Sequence, residues 1–302
     1  MAESFCRSGE LEICYETFGD PADPAILLIM GLGTQMLAWH EDFCAQLAER
    51  GFFVIRHDNR DIGRSTHLDH LPVPTLLQLA RRDRNAPYTL ADMAGDSVAL
   101  LDHLGIEKAH IVGASMGGMI AQTLAIRYPE RALSLVSIMS NTGSFWTGQP
   151  AVTMYALLLR PAPKEREAYI ERGIETFTKI GGSGYAADVE DLRDIATRSY
   201  DRGHDPRGSA RQLWAIVADR DRAPALRRLR LPATVIHGAE DKLVRPSGGR
   251  ATAKAIPGAK LVEIPGMGHG LPRGAWPVII DAIVETANRA PGSARRPAAA
   301  GG

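Results

Sequence analysis

The chain reads as an α/β protein: a mostly parallel sheet with helices on both faces, carrying one all-helical insertion. A continuous apolar run of strand length stands at residues 25–30 and a shorter one at 52–55, and strand character recurs at 110–114, 132–139, 233–237 and 260–264. Helically spaced segments alternate with them, the pattern that strand–helix–strand units of a parallel sheet require. From 141 to 228 the runs stop and only helical spacing remains. The expected organisation is a core of residues 1–140 and 229–290, a helical lid at 141–228 and a disordered tail at 291–302.

Residues 11–18 alternate weakly as an early strand, and Asp20, Pro21, Asp23 and Pro24 mark the turn after it. The run 25–30 is apolar throughout, as a strand covered on both faces must be, and Gly31-Leu32-Gly33 ends it. Trp39, Phe43, Leu47 and Ala48 share a helical face until Gly51. The strand 52–55 leads into Asp58-Asn59-Arg60, with Gly63 and Ser65 beyond, and 71–87 reads as a second, irregular insertion. Thr89 can cap a helix over 89–104: Asp92 stands in the capping-box position, Leu90, Met93, Val98, Leu101 and Leu104 share one face, and Gly105 is the stop. Strand 110–114, a helix over 116–128 ended by Pro129, and strand 132–139 follow. Pro161, Pro163, Gly181 to Gly184, Gly203 and Pro206 cut the insertion into about four helices. Its Phe145, Trp146, Met154, Tyr155, Leu157, Leu158, Leu159 and Trp214 read at helical spacing as the lid's own core. Strands 233–237 and 260–264 then resume, a helix over 276–290 closes the core, and the Pro-, Ala-, Gly- and Arg-rich tail lacks the apolar content to fold.

Composition bounds the function. The chain has 302 residues, 45% apolar and 23% charged, enough to build a core without disulfides or metals. Lys plus Arg equals Asp plus Glu at 35 each, so no net field recruits nucleic acid or anionic lipid, and a neutral or apolar small molecule is the expected partner. The cysteines Cys6, Cys14 and Cys44 are odd in number and match no metal spacing; they read as reduced thiols in a cytoplasmic protein. The first ten residues lack a basic segment followed by an apolar one, and the longest apolar run, 25–30, falls far short of the ~20 residues of a membrane helix.

The chemistry centres on Gly113-Ala114-Ser115-Met116-Gly117. A bare G-x-S-x-G pattern carries little weight; here it follows a strand and opens a helix. Reversing the chain in so few residues forces Ser115 into a strained conformation that only small neighbours at 113 and 117 permit. The backbone N–H of Met116 then sits at a helix N-terminus, aimed where negative charge develops on a substrate oxygen. A serine needs a base, and His269 stands out among nine histidines because Pro265, Gly266, Met267, Gly268 and Gly270 surround it on a loop after a strand. His57 and His237 also lie at strand ends and His110 begins a strand; these read as structural. The carboxylate that orients the base is Asp241, after strand 233–237, with Glu240 its neighbouring competitor. The second oxyanion donor is assigned to the Leu32 backbone N–H in Met30-Gly31-Leu32-Gly33, the alternative being a tight turn with no such role. No helix carries His and carboxylate at metal-binding spacing with a third ligand, so neither metal nor cofactor is expected.

At these residues the sequence resembles the α/β-hydrolase superfamily over about residues 10 to 290, with the serine turn, His237-Gly238-Ala239-Glu240-Asp241 and Gly268-His269-Gly270 in the order Ser, Asp, His. Asp58-Asn59-Arg60-Asp61-Ile62-Gly63-Arg64-Ser65 is similar to that superfamily's D-x-R-G-x-G-x-S loop but has Asp61 where Gly is usual. Met30 stands where His commonly opens the oxyanion loop. Both departures, with Pro265-Gly266-Met267-Gly268-His269, resemble a narrower branch that holds aclacinomycin methylesterase and mycobacterial, lipase-like carboxylesterases. The resemblance implies an α/β-hydrolase fold and cofactor-free ester hydrolysis. Ser115 stands where epoxide hydrolases and haloalkane dehalogenases of this fold carry Asp, which argues against alkyl-enzyme chemistry.

The expected reaction is therefore acyl transfer through Ser115, with Asp241 and His269 as partners and the N–H groups of Leu32 and Met116 as oxyanion donors. The substrate is expected to be a neutral or apolar ester of small to medium size, a methyl ester of a bulky acid among the candidates. Thioesters, lactones, carbon–carbon bonds and peroxyacid formation use the same triad, and a slow-turnover ligand receptor is the rival from another class.

Overall fold

The computed structural model describes residues 3–154, 160 and 163–291. Residues 292–302 of the expected tail, with Tyr155, Leu157, Leu158, Leu159 and Pro161, lie outside the described residues. Strands β1 (Ser4–Ser8), β2 (Leu11–Phe18), β3 (Ala25–Ile29), β4 (Phe53–His57), β5 (Ala109–Ala114), β6 (Ala132–Ile138), β7 (Ala233–Gly238) and β8 (Lys260–Ile264) form one eight-stranded sheet. Their spatial order is β1-β2-β4-β3-β5-β6-β7-β8. β2 is antiparallel to β1 and to β4, and all other neighbours are parallel. The helices are α1 (Glu41–Glu49), α2 (Leu76–Ala80), α3 (Leu90–His103), α4 (Met116–Arg127), α5 (Arg166–Ile180), α6 (Val189–Arg202), α7 (Pro206–Ala218), α8 (Ala223–Leu226), α9 (Pro246–Ala255) and α10 (Trp276–Asn288).

The continuous apolar runs are explained by cover on both faces. Every residue of β3, β4, β5 and β7 is buried. Because side chains alternate along a strand, Leu27 and Ile29 pack with Leu90, Met93 and Leu100 of α3 and Ile120 and Leu124 of α4. Ile26 and Leu28 pack on the other face with Phe43 and Leu47 of α1 and Ile279 and Ile283 of α10. The edge strand β8 carries exposed Lys260 and partly exposed Glu263, which discourages pairing with another chain. Thr89 and Asp92 form a reciprocal capping box at α3, worth about 1 kcal/mol by the cap alone. Burial pushes the thiols up, to about 11 for Cys6 and about 12 for Cys14 and Cys44, so none is a thiolate at neutral pH. Among the described residues, no helix is long and apolar enough to cross a membrane.

The structure corrects the sequence reading in several places. β1 is an additional edge strand, and the stretch 71–87 contains α2, held by a capping box between Thr75 and Gln78. α9 was not expected. Phe145 and Trp146 do not form a lid core: they lie in a non-helical turn, 61% and 87% exposed, with their rings edge-on to each other at 5.3 Å. Met154 and Trp214 are buried, the latter donating its indole N–H to the Asp83 carbonyl at 2.8 Å.

Strand order reverses at β3, with β4 on one side and β5 on the other. The loops leaving β3 and β5 at their carboxyl ends diverge there and open the crevice in which such sheets bind ligands. Residues 30–33 follow β3 and Ser115 follows β5, so topology alone brings them together. Between β6 and β7 the described elements are α5 to α8, and α7 is bolted to the loop after β4. Asp61 sits at φ 70°, a left-handed conformation that favours Gly but that Asp tolerates. Its carboxylate takes two bonds from the Arg211 guanidinium, at 2.7 and 2.8 Å, and one from the Leu68 N–H at 2.7 Å. Both side chains of the ion pair are fully buried. The residue that departs from the usual Gly thus exchanges backbone ease for a buried, bidentate tie to α7.

Asp61→Gly is expected to destabilise the protein by about 3–5 kcal/mol despite the easier backbone, because it strands a buried guanidinium. The double variant Asp61→Gly/Arg211→Leu should recover most of that loss. Urea unfolding midpoints check this, and a single variant as stable as the parent would contradict it.

Candidate active site

Ser115 follows β5 and precedes α4 at φ 56° and ψ −121°, backbone values that cost a non-glycine residue of order 1–3 kcal/mol. The surroundings enforce the turn. A Cβ on Gly113 would overlap the Gly117 carbonyl, and one on Gly117 would overlap the Ile29 carbonyl of β3. A Cβ on Gly118 would come within 2.6 Å of the Ser140 Cβ. The Ser115 N–H donates to the Ile138 carbonyl at 2.9 Å, locking the turn to the end of β6.

The loops after β7 and β8 deliver the other two groups. His269 Nε2 lies 3.0 Å from Ser115 Oγ, and His269 Nδ1 lies 2.7 Å from Asp241 Oδ2. Asp241 is buried; its Oδ1 accepts the N–H groups of Leu243 and Val244 at 2.9 and 2.8 Å. Burial raises its pKa, but the imidazoles of His269 and His237 outweigh that and hold it at about 2. Glu240 points elsewhere, accepting the Ser183 N–H at 2.8 Å and hydroxyl at 2.7 Å. Of the two adjacent carboxylates, Asp241 is the one brought to the histidine.

Three further histidines are buried. His57 and His110 are buried, and burial pushes both down to about 4. His110 Nδ1 meets Ser134 Oγ at 2.9 Å. His237, read as structural, stands against the same carboxylate as His269: its Nε2 is 2.7 Å from the Val244 carbonyl and 3.4 Å from Asp241 Oδ2. It therefore buttresses Asp241, a contact that strand-end position alone did not reveal.

The loop after β3 runs directly against the serine. A Cβ on Gly31 would lie 3.0 Å from the Ser115 Cβ. The Met30 carbonyl accepts Asn59 Nδ2 at 2.9 Å, and the Gly33 N–H donates to Gln212 Oε1 of α7 at 2.9 Å. Met116 is the first residue of α4, so its N–H is among those that a helix leaves without an intrahelical acceptor. Asn59 and Gln212 were not singled out by sequence reasoning. Asn59 lay within the quoted loop, whereas Gln212 had no local signal.

His269 is held from outside the sheet as well. Its N–H donates to the Ile180 carbonyl at 2.6 Å and the Gly268 N–H to the Gly181 carbonyl at 2.7 Å. The C-terminus of α5 has carbonyls without helical donors, and the histidine loop supplies them. Asp61, His67 and Asp205 also cluster with ligand atoms within 4.8 Å of one another. Arg211 already engages both Asp61 oxygens and reaches Asp205 Oδ2 at 3.4 Å, so this cluster is built as an ion-pair network.

Comparison with known proteins agrees with this arrangement at the level of fold. A family profile described as alpha/beta hydrolase fold matches residues 24–177. The chain is similar to rhodomycin D methylesterase of Streptomyces sp. (strain C5), 31% identical over 90% of this chain and 93% of that protein. It is similar to 3-oxoadipate enol-lactonase 2 of Acinetobacter baylyi, 28% identical over 82% of each chain. Among solved structures, 2-hydroxy-6-oxo-6-phenylhexa-2,4-dienoate hydrolase from Rhodococcus sp. strain RHA1 superposes with a TM-score of 0.73 at 24% identity, covering 94% of this chain and 98% of that one.

The two neighbouring carboxylates should separate in kinetics. Asp241→Asn is expected to lower turnover by about 10⁴-fold, since the amide can no longer fix the histidine tautomer. Glu240→Gln should stay within about 3-fold of the parent, losing only a tie to Ser183. Equal losses in the two variants, measured on a common ester, would contradict the assignment.

Proposed function

We propose that this chain, which belongs to the α/β-hydrolase family, is a serine carboxylic ester hydrolase that works through an acyl-enzyme on Ser115. The observation that carries the reading is the continuous line from Ser115 Oγ to His269 Nε2 at 3.0 Å and from His269 Nδ1 to Asp241 Oδ2 at 2.7 Å. It ends on a serine held in a strained turn at the crevice.

The sequence of events follows from those contacts. Neutral His269 accepts the Ser115 proton at Nε2 while Oγ attacks the ester carbonyl carbon. Asp241, ionised, accepts the Nδ1–H and stabilises the imidazolium that forms. The N–H groups of Leu32 and Met116 receive the oxyanion of the tetrahedral intermediate. Its collapse breaks the bond to the alcohol, which takes the proton from Nε2. Water then adds to the acyl-enzyme by the same route, releasing the acid and restoring Ser115.

Residues 1–140 and 229–290 act in this reading as the core, and 141–228 as a lid forming one wall of the substrate site. The likeness to a methylesterase favours a methyl ester of a bulky, neutral or apolar acid. The likeness to an enol-lactonase favours, as a second reading, a cyclic ester whose leaving alcohol stays tethered to the acyl group. Both use the same steps, and turnover of linear methyl esters against lactones separates them.

Ser115→Ala should keep the parent's circular dichroism and lose at least about 10³-fold in turnover of methyl and p-nitrophenyl esters. It should also lose labelling by a fluorophosphonate probe. Activity retained above a few per cent would end the acyl-enzyme reading.

The pH profile has a defined sign. Asp241, its pKa lowered to about 2, is a carboxylate throughout the working range; its contribution to stability and catalysis is present above the ordinary carboxylate range and is lost only as pH falls through about 2. His57 and His110, at about 4, are neutral from pH 5 upward. Between about pH 5 and pH 8 none of these three groups changes its charge, so none of them should contribute a step to the kcat/KM profile. A step in that range that disappears on replacing His110 by Gln would count against this.

A further inference from the structure

α7 presents two consecutive buried polar side chains to the core. Arg211 holds Asp61; Gln212, fully buried, reaches the loop after β3. The Gln212 amide is used at both ends. Its Oε1 accepts the Gly33 N–H at 2.9 Å and its Nε2 donates to the Arg60 carbonyl at 2.9 Å. These partners fix which end of the amide faces which loop.

The bond falls on a particular peptide plane. Residues 31–34 form a turn in which the Thr34 N–H meets the Gly31 carbonyl at 3.4 Å and Gly33 takes φ 64°. Left-handed backbone at that place favours glycine. The central peptide, Leu32 to Gly33, has its N–H held by Gln212 and its carbonyl held by the Thr34 hydroxyl at 3.1 Å. Pinned at both edges, the plane cannot rotate about Leu32 and carry the preceding peptide with it. That preceding peptide bears the Leu32 N–H. α7 also packs on the far side of the turn, where a Cβ on Gly33 would lie 2.9 Å from Ser209 Oγ.

We propose that Gln212 is a positioning residue for catalysis: by clamping the Leu32–Gly33 peptide it aims the Leu32 N–H at the oxyanion. The inference rests on the reading of Ser115 as nucleophile and Leu32 N–H as donor. It makes the segment between β6 and β7 part of the oxyanion machinery, since the clamp comes from 179 residues along the chain. An apolar side chain at 212 leaves the half-buried Gly33 N–H and Arg60 carbonyl without their partner, and the turn is then free to rotate. A misaimed oxyanion donor weakens the transition state and leaves ground-state binding alone.

The test uses Gln212→Met and Gln212→Glu in the full chain. Turnover is referred to sites counted by fluorophosphonate, and binding of an alkylboronic acid is measured alongside, because its adduct on Ser115 places a charged oxygen in the oxyanion position. For Gln212→Met, kcat should fall by about 10- to 100-fold with KM within about 3-fold of the parent. Boronate affinity should fall in step with kcat. Gln212→Glu keeps an acceptor for the Gly33 N–H but loses the donor to the Arg60 carbonyl, and should regain only part of both losses. Thr34→Val frees the other edge of the same peptide and should give the same split, which carries the test if Gln212→Met does not fold. Unchanged kcat in a folded Gln212→Met, or a kcat loss with boronate affinity unmoved, overturns the proposal. Failure of the underlying reading looks different: the parent takes no fluorophosphonate label, or Ser115→Ala still does.

Discussion

A serine at φ 56° between a strand and a helix can exist only where nothing else occupies the space its neighbours would fill. That constraint organises the middle of the molecule. Gly113 and Gly117 must lack side chains because each other's backbone and the end of β3 lie where a Cβ would go. The same closeness brings the loop after β3 against Ser115, so the glycines that permit the turn also set the distance between the serine and that loop. The strain is balanced by cooperative burial: β5 is wholly buried, and most of α4 with it. Local discomfort of this kind persists only where the surroundings over-determine it.

The segment between β6 and β7 is joined to this centre by buried polar side chains as well as by apolar ones. Arg202 of α6 donates to Asp58 at 2.8 Å, Arg211 of α7 holds Asp61, and Arg222 donates to the Asn141 carbonyl at 2.9 Å and to Gln122 at 3.1 Å. Burial pulls the Arg222 guanidinium down to about 9, which still leaves it charged at neutral pH. Buried cations are costly unless paired, and a pair broken on one side costs more than the pair contributed. Such contacts therefore define one docking position sharply, because a shifted register strands a charge where a shifted apolar contact would merely slide.

How much of this was legible follows from the range of each signal. The buried strands, the box at Thr89 and the turn at Ser115 are read from residues adjacent in sequence, and the structure has them within a few residues of the expected places. α9 escaped because its sequence, with Gly248 and Gly249, has poor helix propensity. Those glycines answer to packing instead: a Cβ on Gly248 would lie 2.8 Å from the Asn141 Cβ, and one on Gly249 would overlap the His237 ring. The His-Gly-x-x-Asp match favours Asp241 over its neighbour Glu240, and the fold adds that the first faces His269 and the second Ser183. Phe145 and Trp146 mislead because apolar residues at helical spacing predict a buried helix face, whereas their turn is not helical and leaves both rings in water. Gln212 carries no motif, and its contacts with the loops of Gly33 and Arg60 are long-range; His237 opens the His-Gly-x-x-Asp segment, but only the fold shows its ring against Asp241.

These contacts bear on what the inserted segment can do. The loop of His269 is bonded to the end of α5, the loop of Asp58 to α6, and the loops of Gly33 and Asp61 to α7. Lifting α5 to α7 as a body would strip partners from Gly268, His269, Gly33 and Asp61 together, including a buried ion pair whose one-sided loss costs about 3–5 kcal/mol. A segment so attached is poorly suited to swing away as a body, and well suited to holding the loops of His269 and Gly33 in register. In the proposed acyl transfer such preorganisation would act on the transition state, because donors already aimed need no rearrangement as charge develops. The insertion thus does for the loops what the glycines do for Ser115: it removes the alternatives.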